Sequence, residues 1–229
     1  MIKQFAINYL PFLGKYKRFI KALAQTKQNK KSYSQHQEDA FLVSYIKENN
    51  IEINKYKYVD VGANHPTDIS NTYLLYKIGM TGFIIEPNKE LINLFKIFRK
   101  KDILFNIGVS NSTSMLRFYV SKTPVISSFV NNWRDSDTSN SYFVPVMSLD
   151  DALKESLRDP IFFLSIDVEG LNTQVLQGAL LTAAKSLLVC IEWDDEAEKL
   201  NYQKILGSNF IVLKDFGCNT IFKNNNFNL

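Results

Sequence analysis

The segment from Tyr56 to Pro87 constrains the chain more than any other. It opens with Tyr56-Lys57-Tyr58-Val59-Asp60-Val61, which is short, aromatic and β-branched, the composition of a strand. Gly62-Ala63-Asn64 supplies a turn. A helix is expected from Ser70 to Lys77, with Tyr73, Leu74 and Ile78 at helical spacing and Gly79 as its C-cap. A second strand, Gly82-Phe83-Ile84-Ile85, stops at Glu86-Pro87. Together these make a β-α-β unit with a glycine in its first turn and a carboxylate at the tip of its second strand.

Open α/β sheets place their ligands at the carboxyl ends of the strands, and Gly62 and Ala63 let the backbone approach a ligand there. A carboxylate one strand over, Glu86, can accept hydrogen bonds from both hydroxyls of a ribose. The dinucleotide fingerprint requires three glycines, for the turn, the pyrophosphate and helix packing. Only the first is present. That argues against a nicotinamide oxidoreductase and toward a nucleoside without phosphates, such as S-adenosylmethionine.

The longer wording is more specific. Tyr58-Val59-Asp60-Val61-Gly62-Ala63-Asn64-His65-Pro66, Ser70-Asn71-Thr72-Tyr73, Gly82-Phe83-Ile84-Ile85-Glu86-Pro87-Asn88 and Phe163-Leu164-Ser165-Ile166-Asp167-Val168-Glu169-Gly170 follow one another in order. This series resembles the FkbM-type family of S-adenosylmethionine-dependent methyltransferases over roughly residues 33 to 222. The resemblance implies a Rossmann-like class I methyltransferase fold: a mainly parallel seven-stranded sheet with an antiparallel last strand and helices on both faces. It also implies S-adenosylmethionine as cofactor. Asp60, Gly62, Ala63 and Asn64 are then expected at its methionine end, Glu86 at the ribose, and Asn106 and Ile107 at the adenine. In the family a Ser-Gln…Glu-Asp segment such as Ser34-Gln35…Glu38-Asp39 lies beside the cofactor; here Gln37 stands where a glycine is common.

The rest of the chain fits this plan. Phe41, Leu42, Tyr45 and Ile46 form the inner face of a helix whose first turn holds Glu38 and Asp39, favourable for its dipole. Asn88 caps a helix with Leu91, Phe95 and Phe98 on one face, and Arg99-Lys100-Lys101 suits its C-terminus. Residues 102–107 read as a third parallel strand and Met115 to Val120 as an added edge strand. Residues 121–141 read as a long loop over the site, with Ser127, Ser128 and Phe129 nearest to it. Ser148 starts a short helix, and residues 210–223 read as a hairpin. The apolar run Ile161 to Ile166 is expected to be a central strand buried on both faces. It ends in Asp167-Val168-Glu169, and the next strand, from Leu187, ends in Glu192.

Those acids, on the same edge as Gly62 and Glu86, nominate the chemistry. Asp167 is the candidate for orienting or deprotonating an acceptor hydroxyl, followed by Glu169 and by His65, whose imidazole titrates near neutrality. His65 placed merely to orient the turn explains its position equally well. Asp167 and Glu169, two apart at a strand end, face one side and could bind a divalent metal that acidifies a hydroxyl; with no histidine at ligand spacing, no metal is expected. The acceptor implied by the family is a sugar, glycan or natural-product hydroxyl. An RNA methyltransferase and a non-catalytic binding protein of the same fold are the alternatives.

Charge is uneven. Residues 1–37 hold eight basic and no acidic side chains, leaving 19 basic against 23 acidic residues in the body. Residues 1–32 thus read as a basic extension on a single domain, 33–229. Phe12, Tyr16, Phe19, Ile20 and Leu23 beside lysines are compatible with peripheral contact at the inner membrane face, and equally with a solvated helix. One basic stretch on an acidic body argues against nucleic acid. With no apolar run of membrane-spanning length, no secretory signature, and Cys190 and Cys218 far apart, a cytoplasmic protein with free thiols is expected.

Overall fold

The computed structural model describes residues 16–122, 126–135 and 137–227. Helices α1 (residues 16–26) and α2 (Glu38–Glu48) precede strand β1 (Lys57–Val61). Then come α3 (Tyr73–Lys77), β2 (Thr81–Ile85), α4 (Lys89–Phe98) and β3 (Ile103–Phe105). Strands β4 (Gly108–Val109), β5 (Ser114–Ser121) and β6 (Thr138–Met147) follow, then α5 (Leu149–Leu153) and β7 (Ile161–Ile166). The chain closes with α6 (Asn172–Gln177), α7 (Leu180–Ala184), β8 (Ser186–Glu192), α8 (Glu196–Leu206), β9 (Phe210–Phe216) and β10 (Asn219–Asn224).

Seven strands form one sheet in the order β3-β2-β1-β7-β8-β10-β9. All neighbours are parallel except β10, which runs antiparallel to both β8 and β9. This is the α/β architecture with the reversed last strand that the family resemblance implied. The sheet is apolar on both faces, as a parallel sheet covered on both sides must be. Val59, Val61, Phe83, Ile85, Leu164 and Ile166 point into one core, and the alternating Tyr58, Ile84, Phe163, Leu188 and Cys190 into the other. No helix among the described residues is long and apolar enough to cross a membrane.

Several local expectations are corrected. The helix expected from Ser70 begins at Tyr73, and Thr72 offers no cap. Its hydroxyl is committed elsewhere, donating to Asp60 Oδ2 and accepting from Arg99 Nη1 at 3.0 Å. Arg99 itself is fully buried rather than a surface cation at a helix end. The third strand is only three residues long. β5 is no edge of the main sheet: it pairs with β6 in a separate three-stranded sheet, β4-β6-β5, and β6 takes up residues 138–141 of the expected loop. Glu38 and Asp39 are buried, and they do more than complement a helix dipole. Asp39 accepts from Tyr33 N and Ser32 Oγ, each at 2.6 Å, and Glu38 Oε1 accepts from Asn219 Nδ2 at 2.8 Å. Gln37 adopts φ +71°, the left-handed conformation that explains why glycine suits this position.

Helix α1 lies against the body. Arg18 pairs with Glu90 at 2.5 Å, Lys21 with Asp68, and the Phe19 ring packs on Phe98 with centroids 5.4 Å apart. Phe19 therefore faces inward, leaving Tyr16, Ile20 and Leu23 exposed; Phe12 lies outside the described residues.

Candidate functional site

A cavity of about 330 Å³ opens where β1, β2, β7 and β8 end. The β1 turn (Asp60 to Asn64), Ile85 to Pro87, Ile107 to Val109 and the strand-end acids Asp167, Glu169 and Glu192 form its wall. Gln35, Ile126, Ser127, Phe129 and Arg134 also line it.

The turn is built by hydrogen bonds across to β2. Gly62 N and Ala63 N donate to Ile85 O at 3.0 and 3.3 Å. Gly62 sits at φ +76°, and a Cβ there would stand 1.8 Å from Asp167 O. Alanine would therefore meet both a disfavoured backbone conformation and immovable backbone. Gly62→Ala is expected to lower stability by about 3 kcal/mol or more, read as an earlier urea midpoint. A midpoint unchanged from wild type would refute this close approach.

Glu86 is held by two backbone donors. Its Oε2 accepts from Asn64 N at 2.8 Å and its Oε1 from Asn88 N at 2.7 Å. Each oxygen keeps a further acceptor site. Burial raises its pKa to about 7, against the opposing pull of those two N–H groups. Asp60 is also buried; desolvation raises its pKa, while the Arg99 charge and the Thr72 hydroxyl pull it down.

Not every expected residue comes to the cavity. His65 is turned away toward α1, with Nε2 3.3 Å from Arg18 O and Nδ1 accepting from Thr67 N at 3.4 Å. Asn64, just before it, takes the left-handed conformation (φ +51°). His65 thus fits the turn-orienting alternative, and burial lowers its pKa. Asn106 is similarly occupied: its amide donates to Glu86 O at 2.8 Å and Pro87 O at 3.0 Å, bracing the end of β2. Its neighbour Ile107 does line the wall.

Asp167, Glu169 and Glu192 converge, each offering an oxygen within 4.8 Å of the others. Burial, then Glu192 and Glu169, push the Asp167 carboxyl well above the usual range. Glu169 occupies a left-handed position at φ +50°, and its Oε2 accepts from Trp133 Nε1 at 2.7 Å. Ser128 Oγ donates to Glu169 O at 2.6 Å, so the loop expected over the site is fastened to the strand-end turn.

Trp133, Arg134 and Arg99 escaped sequence reasoning. Trp133 and Arg134 sit in a stretch without periodicity, and Arg99 closes a helix where a solvated cation is the ordinary case. The periodicity of α4 offered a signal for Arg99, which follows Phe95 by four residues and shares its inward face.

A family model described as the Methyltransferase FkbM domain matches residues 60–206. No curated protein matches the chain. Solved structures similar to it include a candidate RNA methyltransferase from Pyrococcus horikoshii, 11% identical, covering 92% of this chain and 98% of that one, with a TM-score of 0.45. A Thermoplasma acidophilum protein is 10% identical, covering 93% and 98%, with a TM-score of 0.47. A candidate O-methyltransferase from Klebsiella pneumoniae is 10% identical, covering 92% and 90%, with a TM-score of 0.46.

Proposed function

The chain belongs to the FkbM methyltransferase family, and from that premise we propose that it transfers the methyl group of S-adenosylmethionine to a hydroxyl oxygen of a sugar, glycan or natural-product acceptor. The observation that carries this reading is Glu86. A buried carboxylate, fixed by two backbone N–H groups and facing a cavity beside a glycine turn, suits a ribose diol. When bound, the cofactor supplies the electrophilic methyl group and its leaving group.

The protein's own residues supply position and charge. Gly62, Ala63 and Asp60 form the floor at the methionine end, Glu86 holds the ribose, and Ile107 with Val109 offers an apolar wall for the adenine. Asp167 and Glu169 stand at the end of β7, directly beside the glycine turn, where the acceptor hydroxyl would sit. There Asp167 would orient the acceptor hydroxyl or take its proton, while bound S-adenosylmethionine would supply the methyl group. The Trp133 N–H keeps Glu169 aimed inward. Holding donor and acceptor in line is worth up to about 7–11 kcal/mol of the barrier in well-aligned cases.

The pKa of Glu86 provides the test. Ribose hydroxyls donate to the ionised carboxylate, so affinity should fall as pH drops through about 7. Calorimetric titration with S-adenosylmethionine should give a dissociation constant about tenfold weaker at pH 6 than at pH 8, the change in ionised fraction for such a pKa. Flat affinity across this range would remove Glu86 from the ribose site. No binding by the folded protein would sink the cofactor reading. Incubation with a panel of saccharides and mass detection of products 14 Da heavier, the mass of a methylene, then tests the acceptor class.

A further inference from the structure

The three strand-end carboxylates are under-neutralised. Arg134, which pairs with two of them, is itself held by Asp194 at 2.5 Å. From there it reaches Glu169 at 3.3 Å and Glu192 at 3.7 Å, longer than the 2.7–2.9 Å of a charge-assisted hydrogen bond. Its guanidinium thus stands beside the cluster rather than inside it. Asp167 receives nothing from it; Asp167 Oδ1 is enclosed by protein with no N–H or O–H donor, and its close carboxyl neighbour is Glu192. A buried acceptor left without a donor is costly and calls for a partner.

We propose that Asp167, Glu169 and Glu192 bind a divalent cation of the Mg2+, Mn2+ or Ca2+ class. The donor set is all oxygen, the preference of hard cations, and lacks the nitrogen or sulfur that would select zinc or copper. The spacing fits as well. Three oxygens up to 4.8 Å apart lie within about 2.8 Å of a common centre, so side-chain shifts of a few tenths of an ångström bring them to the roughly 2.3–2.6 Å of Ca2+, and a somewhat larger closure to the roughly 2.0–2.1 Å of Mg2+. Outer contacts orient the ligands as metal sites require: Trp133 Nε1 fixes Glu169 Oε2, and Asn172 Nδ2 fixes the end of β8 through Glu192 O at 3.0 Å. The sequence brought Glu192 to the same sheet edge as this pair; the parallel β7–β8 pairing brings it within ligand distance. An ion here would coordinate the acceptor hydroxyl and ease loss of its proton. That role rests on the methyl-transfer reading; the site itself does not.

The test uses Mn2+ alone, without cofactor or acceptor, followed by calorimetry and by quenching of tryptophan emission from Trp133. One saturable site is expected, with a dissociation constant at or below about 1 mM. Glu169→Gln and Glu192→Gln should each weaken it at least about tenfold. Arg134→Gln, whose folding is checked by its urea midpoint, should tighten it by removing a neighbouring positive charge. Absence of saturable Mn2+ binding by the folded protein would overturn the proposal. So would binding that both glutamine variants leave unchanged, or affinity lost in Arg134→Gln. Because no S-adenosylmethionine is present, each result is read separately from the cofactor titration.

Discussion

Glu86→Ala is expected to weaken S-adenosylmethionine binding by about 100- to 1,000-fold. A hydrogen bond to a charged group contributes about 1.5–3 kcal/mol, and the ribose diol offers two donors. The carboxylate is already oriented by Asn64 N and Asn88 N, so little ordering cost offsets those bonds. Removing it also leaves those two N–H groups without their acceptor, so urea unfolding must accompany the titration to separate lost contact from a loosened turn. Glu86→Gln is a severe variant too: its amide N–H₂ would confront one of the two backbone N–H donors. A Glu86→Ala protein that unfolds at the wild-type midpoint and binds within threefold of wild type would disprove the ribose contact.

The second large effect lies away from the cavity. Arg99→Met is expected to lower stability by about 3–5 kcal/mol, the usual result of breaking a buried ion pair by removing one partner. Arg99 Nε donates to Asp102 Oδ2 at 2.7 Å with both side chains fully buried. Arg99 Nη2 donates to Tyr58 OH at 2.7 Å, and that hydroxyl in turn donates to Asp102 Oδ1 at 2.7 Å. Asp102 Oδ1 further accepts from Gly82 N at 3.0 Å, so the network ties α4 to both β1 and β2. Methionine would fill much of the volume while stranding the Asp102 charge. Adding Asp102→Leu and Tyr58→Phe should restore part of the loss, since an apolar set has no charge left to compensate. Denaturant midpoints of the single and triple variants measure this, and a single variant within about 1 kcal/mol of wild type would refute the network's importance. The Arg99–Thr72–Asp60 contacts join this network to the cavity floor.

Much of the site was legible locally. A glycine after a β-branched strand and an acid at the next strand's tip are adjacent features of one β-α-β unit, so the sequence alone placed Gly62 and Glu86 at one edge. The caps at Asn88 and Ser148 are equally local: each side chain accepts from an N–H two or three residues on, Glu90 and Asp151. Failures occurred where a side chain's partner lies far along the chain. Asn106 has the composition of an adenine contact, yet carbonyls some twenty residues earlier claim its amide. His65 neighbours the glycine turn in sequence, but α1 supplies its surroundings.

The sequence by itself determined the α/β class, the parallel core strands, the turn at Gly62 and the family, because periodicity, turn chemistry and motif order are properties of consecutive residues. Only the tertiary structure decided which charges meet. Asp167 and Glu192 are 25 positions apart and become neighbours because β7 and β8 pair in parallel, ending at the same edge. Arg134 reaches them from a loop that carries no periodic signal, and Arg99 meets Tyr58 across 41 positions of chain. Such pairings depend on strand order and loop path, which no local run of residues encodes.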